Sequence, residues 1–424
     1  MRKEMYGSIA RKCLIAVLLV TAAVLLLQTD YFAASGGLPE NSAVSPARAA
    51  GAAATASAEA AAVLVPRAVM VRTPEGAVSA SAWDGEATEQ AFRRFAAVMG
   101  EALGSAGAPE KLTEPEFRAG MESGCFFVDL GGVFSLGLLS DWLGAGGGGA
   151  ADMDADMLYL GFSGEAVSLF FRLGRQGFYR CATATQAETL SARMSDFAAE
   201  RAHFAWEDPR LGGVDPYSVI LEQMPALYRV SGASAWDQAD PAHLMEILGM
   251  NSYVASSYYD ADGTLVQMEG GRTMRLTPEG MLYYRSNEPS PGAEKHDLIA
   301  AVNQVCRLLR QSAGLTAGDA EIMFSGMEQS ETACTVYFDY CVSGVPLRPT
   351  EGHAAAVTIS DGVVRWASIS LRSYSRTEEP ETVLPMFRAA AIASVRGETP
   401  VLVYADSGEW TRCVWVYEQW RQND

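Results

Sequence analysis

Hydrophobic and polar residues alternate along most of this chain with the period of short strands, and the clearest example lies at 252–286. There, four alternating runs are separated by three turn dipeptides, Asp262-Gly263, Gly270-Gly271 and Glu279-Gly280. Runs of this length with turn residues between them predict an antiparallel meander of four strands. A further two-residue turn, Asp361-Gly362, predicts a hairpin between runs at 355–360 and 363–371.

Apolar residues recur with a helical period in segments that lie between these groups of strands. The clearest helix is expected at 296–311, where Val302, Cys306 and Leu309 share one stripe. Other helices are expected at 89–103, 136–143, 188–200, 243–248 and 380–395. Groups of antiparallel strands interrupted by single helices predict the α+β class, with antiparallel sheets packed with helices.

Residues 13–27 form an apolar run without a charged side chain, and four basic residues precede it. Its fifteen residues cover about 22 Å as a helix, and flanking residues up to position 34 can extend it toward the roughly 30 Å of a bilayer core. Length and flanks favour a single N-terminal transmembrane helix over a cleaved signal peptide, although both interpretations stay open. Basic residues before the run predict a cytoplasmic N-terminus, with the bulk of the protein extracytoplasmic in the cell membrane.

One face of this predicted transmembrane helix is a candidate partner contact, formed by Ala16, Val20, Ala23 and Leu27. Small residues allow transmembrane helices to approach closely. The alternative explanation is that alanine is simply common in this chain.

Composition divides the chain into six expected parts. They are a cytoplasmic tail at 1–12, a transmembrane anchor at 13–29, an Ala/Ser/Pro-rich tether at 30–63, an N-terminal α+β domain at 64–205, a middle β-meander domain at 206–290 and a C-terminal α+β domain at 291–424. The tether contains few large apolar residues, so it cannot bury enough surface to fold by itself.

Charge excludes one class of partner. The formal net charge is −19, and the chain beyond residue 12 carries 28 basic and 50 acidic side chains, a balance of −22. Such an acidic exodomain repels nucleic acid. Six of the seven cysteines are scattered singly beyond the apolar run, where buried free thiols and disulfides are both compatible with the spacing.

The candidate motifs for chemistry are weak. His243 and Glu246 have helical ligand spacing, but no second pair joins them, whereas a zinc site needs three or four ligands. Asp152, Asp154 and Asp156 alternate without the glycine and glutamate of a calcium loop. We therefore predict no catalytic, cofactor-binding or metal-ligating residue, no cofactor and no enzymatic activity.

The meander resembles a hallmark of the YycH/YycI family of membrane-anchored regulators. The similar pieces are the acidic turn at 260–263, the Arg-x-x-Arg strand at 272–276, the Pro-x-Gly turn at 278–280 and the aromatic strand at 282–284. Further pieces follow in the expected order: the Tyr-x-x-Tyr strand at 337–340, the Val-Pro-Leu element at 345–347, the Asp361-Gly362 hairpin and the closing strands at 401–416. Upstream, 126–143 is similar to the N-terminal domain of the family.

This resemblance implies a function. It implies that the protein modulates a sensor histidine kinase of a two-component system for cell-wall homeostasis, by contact through its transmembrane helix and exodomain, with a related co-regulator as a second partner. The alternative is an exported wall- or solute-binding protein without a kinase partner. In that case five meander tyrosines could line a groove, namely Tyr253, Tyr258, Tyr259, Tyr283 and Tyr284.

Overall fold

The computed structural model describes residues 64–174, 177–195, 197–288, 298–330, 333–408 and 411–419, all within one unit that spans 53–424. The predicted tail, anchor and tether, and with them Ala16, Val20, Ala23 and Leu27, lie outside the described residues. Within these ranges, no helix is both long and apolar enough to cross a membrane.

The fold alternates single helices with groups of strands. The strands are β1 Ala68–Arg72, β2 Val78–Ala82, β3 Glu110–Leu112, β4 Cys125–Ser135, β5 Asp154–Ser163, β6 Ala166–Leu173, β7 Gly177–Gln186, β8 Glu200–Phe204, β9 Val219–Leu221, β10 Tyr228–Ser234, β11 Ser256–Tyr259, β12 Leu265–Glu269, β13 Arg272–Leu276, β14 Met281–Ser286, β15 Glu321–Gln329, β16 Ala333–Val342, β17 Val345–Pro349, β18 Ala355–Ser360, β19 Val363–Ser370, β20 Arg372–Pro380, β21 Glu398–Asp406 and β22 Thr411–Gln419. The α-helices are α1 Gly85–Gly104, α2 Glu114–Glu122, α3 Leu136–Trp142, α4 Ala187–Met194, α5 Pro241–Ile247, α6 Leu298–Gln311, α7 Ala313–Thr316 and α8 Met386–Arg396. This combination of α-helices and β-strands confirms the predicted α+β class.

In the described part of the chain, the strands form two large sheets and one two-stranded ribbon. The first sheet has the order β3-β7-β6-β5-β4-β1-β2-β8-β9. The second has the order β11-β12-β13-β14-β19-β18-β16-β17-β21-β22, with β15 added beside β16, and the ribbon pairs β10 with β20. Neighbouring strands run antiparallel except β17 and β21, which are parallel.

The predicted meander forms as four antiparallel strands, β11 to β14, and does not stand alone. Strand β14 pairs with β19 of the C-terminal hairpin, so the meander is the outer part of the second sheet. The Asp361-Gly362 turn closes the β18–β19 hairpin with positive φ at both residues, 52° and 72°, as a type I′ turn requires. The predicted domain boundaries at 205/206 and 290/291 stay predictions.

Aromatic rings hold the two sheets together. Phe134 of β4 lies 4.8 Å from Phe324 of β15, and Trp142 of α3 lies 5.6 Å from the same Phe324, measured between ring centroids. The Trp142 indole N–H also donates to the side-chain oxygen of Asn303 on α6 at 2.9 Å. These contacts join the first sheet to the second through a buried apolar interface that also satisfies its polar atom.

Two predicted helices have other bounds. The helix expected at 188–200 ends at Met194, because Phe197 turns back against Phe95 and the chain then enters β8, which pairs with β2. The helix expected at 380–395 begins only at Met386. Residues up to Pro380 belong to β20, and Pro385 occupies the N-cap, since a proline inside a helix lacks the N–H and clashes with the preceding turn.

A buried ion network holds the irregular segment that follows β8. The Arg172 guanidinium donates to Asp156 on the neighbouring strand at 2.7 Å and to Asp215 of the irregular segment at 2.9 Å. Burial lowers the pKa of Arg172, but the two carboxylates outweigh it and raise that pKa above its usual value. The alternating aspartates predict a solvated acidic turn, but Asp154 and Asp156 lie on β5 and Asp156 pairs with Arg172.

Replacing Arg172 with Met should lower the free energy of unfolding by about 3 kcal/mol, because Asp156 and Asp215, which are only 21% and 13% exposed, then lose their countercharge. Urea denaturation of the two proteins measures the difference. The matched control is Arg93→Met, which breaks an exposed helical ion pair with Glu89 and should change stability by about 0.5 kcal/mol or less. Equal losses in both variants would contradict a structural role for the network.

Candidate functional site

One face of the second sheet carries large side chains that no other described element covers. We call it the meander face and define it by seven outward-pointing residues of β11 to β14 and β19: Tyr258, Met268, Thr273, Arg275, Tyr283, Arg285 and Trp366. Four of its apolar side chains are substantially exposed, Tyr258 by 48%, Met268 by 41% and both Tyr283 and Trp366 by 40%. Exposed apolar groups gathered on one patch are typical of interaction sites.

Strand alternation explains why this face is exposed while its neighbours are buried. Successive side chains on a strand point to opposite faces. Tyr283 points outward, whereas Tyr284 is 2% exposed and belongs to the core. Likewise Trp366 is outward and the next residue, Ala367, is fully buried. The inward side chains of these strands belong to the hydrophobic core, so the outward face is left to solvent or to a partner.

The five tyrosines considered as a ligand groove do not act as one set. Tyr284 lies in the core, while Tyr253 and Tyr259 are 97% and 67% exposed at the edge of the sheet around β11. Only Tyr258 and Tyr283 lie on the meander face. The alternation in the sequence places Tyr283 and Arg285 on the same face of their strand, but it does not indicate which of the two faces is covered.

Basic side chains surround a shallow depression of about 640 Å³ on this face. It is lined by Thr273, Arg275, Tyr283, Tyr284, Arg285, Ser286, Asn287, Arg365 and Trp366. No Asp or Glu of the described chain is among these residues. Arg275 contacts Asp260 at 3.4 Å outside the depression, and Arg285 is exposed. The depression therefore combines aromatic surface with positive charge in a chain whose net charge is −19.

The second sheet continues this face toward Tyr337 of β16, against which the His353 ring packs at 4.8 Å between centroids. The His353 Nδ1 lies 2.9 Å from the Asp339 carboxylate, which also accepts from Ser325 Oγ at 2.5 Å and from the Ala354 N–H at 2.9 Å. The hydrogen bond to Asp339 raises the pKa of His353 above its usual value.

This serine, histidine and aspartate do not form a nucleophilic triad. Ser325 and His353 both bind the same oxygen of Asp339 and not each other. A serine nucleophile needs a hydrogen bond to its general base, with the carboxylate on the far side of that base. The group is thus a polar cluster that fixes the loop carrying His353.

Other candidate chemistry is absent from the part of the chain that the structure describes. No three His, Cys, Asp or Glu side chains there are placed to hold a metal ion. The six cysteines at 125, 181, 306, 334, 341 and 413 are buried free thiols. Burial raises the pKa of Cys306 to about 12, so this thiol is not a reactive thiolate at neutral pH. His243 contacts only a backbone carbonyl, that of Gln311, at 3.1 Å.

Comparison with known proteins bears on the fold. No protein-family model matches the chain, and no curated protein matches it by sequence. The structure is similar to the crystal structure of YycH from Bacillus subtilis, with a TM-score of 0.54 and 8% sequence identity, over 84% of this chain and 94% of that chain. The fold resembles that of YycH. At 8% identity this similarity concerns the fold alone.

The His353–Asp339 contact should give a measurable titration. Its raised pKa means that the pair contributes to stability below the usual histidine pKa of about 6.5, and that this contribution is lost as pH rises through the raised value. A proton NMR titration should show His353 keeping its proton to higher pH than in the Asp339→Asn variant. His353→Gln identifies the resonance, and an unchanged midpoint in Asp339→Asn would contradict the assignment.

Proposed function

We propose that this protein is a membrane-anchored, non-enzymatic regulator that modulates a sensor histidine kinase of the cell-wall homeostasis type. Two independent observations support the proposal. The fold is similar to YycH over 94% of that chain, and the meander has the succession of turns and strands by which the sequence resembles the YycH/YycI family. The similarity to YycH is the observation that carries the proposal.

The meander face supplies the exodomain with a surface suited to protein contact. Tyrosine, tryptophan and arginine are the residues enriched where binding energy concentrates in protein interfaces. All three occur here next to one another, at Tyr283, Arg285 and Trp366. We assign to this face the contact of the exodomain with the kinase or with a related co-regulator.

The predicted transmembrane helix supplies the second contact. Ala16, Val20, Ala23 and Leu27 would pack against the kinase helices within the bilayer. If this helix binds one packing of the kinase bundle better than the other, a coupling free energy of about 1 to 3 kcal/mol is enough to shift the kinase population. The proposed location is therefore the cell membrane, with one span and an extracytoplasmic exodomain.

Replacing residues 13–27 with an unrelated apolar helix that still inserts should abolish regulation, because the proposed contact depends on the helix surface and not on anchoring alone. Reporter output of the two-component system in cells checks this, with membrane fractionation as the control for insertion. Unchanged output with a correctly inserted helix would contradict a transmembrane contact.

The proposed contact of the exodomain is tested by truncating two large side chains of the meander face. The double variant Tyr283→Ala, Trp366→Ala should reduce kinase recovery about tenfold or more in a detergent pull-down from native membranes followed by mass spectrometry. Leu315→Ala on α7 is the matched control, since Leu315 is 70% exposed but lies outside the meander face. Equal recovery with both variants would contradict the assignment of this face.

One observation favours a second function, that of an exported wall- or solute-binding protein. The depression on the meander face joins aromatic rings to arginines and is open to solvent. The same pull-down separates the two functions. Recovery of a processed protein, without an anchor and without a kinase, would favour the solute-binding function.

A further inference from the structure

We infer that the meander face receives an acidic polypeptide segment of a partner protein, whose carboxylates bind Arg275 and Arg285 and whose apolar side chains pack on Tyr283 and Trp366. The inference rests on the proposed function, because it takes the partner to be a protein. It adds the chemistry by which that partner is recognised.

Strand register places each arginine directly beside an aromatic side chain. Arg275 is opposite Tyr283 across β13 and β14, and Arg285 is opposite Trp366 across β14 and β19. Directly opposed residues on one face of a sheet have Cβ atoms about 5 Å apart. Tyr283 and Arg285 are two residues apart on β14 and so share the face. The four side chains form a compact array in which charge and aromatic surface alternate.

This array suits carboxylates that come with apolar neighbours. An arginine guanidinium presents paired N–H groups that match both oxygens of a carboxylate. Neighbouring aromatic rings exclude water from such a pair and strengthen it. The Arg285 side chain is exposed and makes no hydrogen bond or ion pair with another described residue, so its guanidinium can donate to a partner.

Charge complementarity selects the sign of the partner. The chain has a net charge of −19, yet the lining of this depression contains three arginines and, among the described residues, no carboxylate. Arg275 and Arg365 contact carboxylates outside the lining, Asp260 at 3.4 Å and Asp361 at 3.9 Å, so Arg285 supplies most of the positive charge of this depression. A positive patch on an acidic protein attracts acidic surfaces, whereas basic partners are attracted to the acidic remainder of the protein. A second copy bound face to face would bring the same positive patch of both copies into one interface, where like charges repel.

The extent of the surface favours a polypeptide over a small solute. Small-molecule sites enclose most of their ligand, whereas this depression lies on a flat sheet. The exposed apolar surface also continues across Met268 and Tyr258 to the sheet edge, where Tyr253 and Val254 are 97% and 66% exposed. Only an extended polypeptide can contact both the four-residue array and the apolar residues at the sheet edge.

The test uses full-length protein in detergent micelles and a short fluorescent peptide in which glutamate alternates with leucine and tryptophan. A matched peptide has glutamine in place of glutamate. Fluorescence anisotropy should show binding of the acidic peptide that weakens with salt, and weaker binding of the glutamine peptide. Arg285→Glu and Arg275→Glu should each lower the affinity for the acidic peptide about tenfold or more.

The control variant is Arg307→Glu, which reverses another exposed positive charge, on α6 and outside the meander face. It should leave the affinity unchanged. Far-UV circular dichroism and urea denaturation of every variant show whether a loss of binding comes from a loss of fold.

Three results would overturn the inference. Equal binding of both peptides would mean that carboxylates are not recognised. Binding of hyaluronate, a carboxylated glycan, through the same arginines without binding of the acidic peptide would identify a glycan site. Self-association in sedimentation that Arg285→Glu abolishes would identify a second copy as the occupant.

Kinase recovery with Arg285→Glu separates this inference from the proposed function. If the acidic peptide binds through Arg285 but Arg285→Glu leaves kinase recovery unchanged, the meander face binds an acidic partner that is not the kinase. That result would contradict the proposed kinase contact and support the acidic partner. If Arg285→Glu abolishes kinase recovery but the unchanged protein does not bind the acidic peptide, the meander face contacts the kinase without recognising an acidic segment. That result would contradict the acidic partner and support the kinase contact.

Discussion

The pairing of β14 with β19 is the constraint on which the functional surface depends. It joins the meander to the C-terminal hairpin and sets the register in which Tyr284 meets Ala367 on the inside and Arg285 meets Trp366 on the outside. A slip by one residue would turn both outward side chains into the core and bring Tyr284 to the surface, because strand side chains alternate with a period of two. Burial of Tyr284 and Ala367 therefore fixes the register that keeps Arg285 and Trp366 exposed.

The remainder of the molecule makes the second sheet part of one rigid unit. Phe134, Trp142 and Phe324 pack the two sheets against each other, and Arg172 ties the irregular segment after β8 to β5 and β6. Removal of one partner from such an ion network is costly because it leaves the other charges poorly solvated and without a countercharge. Strand β1 pairs with β4 on one side and β2 on the other, so it lies in the interior of the first sheet.

The proposed regulation by contact fits the composition of the meander face. There, the exposed side chains of Tyr283 and Trp366 lie next to arginines. Such a face provides area and a few strong anchors, which are the requirements of a protein interface. A basic patch on an acidic chain also helps to orient an approaching acidic partner, because the patch attracts it while the net charge repels it.

The sequence alone determined the α+β class, the four meander strands and the Asp361-Gly362 hairpin, because strand period and turn chemistry are local properties. It also contained the capping box at Thr113 and Glu116 that starts α2, a helix that our sequence prediction missed. Tertiary structure decided the features that depend on distant partners. Pairing with β2 ended the helix at Met194, and pairing with β10 kept residues up to Pro380 extended. Burial of Tyr284 and Ala367 in the core left Tyr283, Arg285 and Trp366 exposed on the other side of the sheet. Alternation assigns residues to two faces of a strand, but only the packed sheet shows which face remains uncovered.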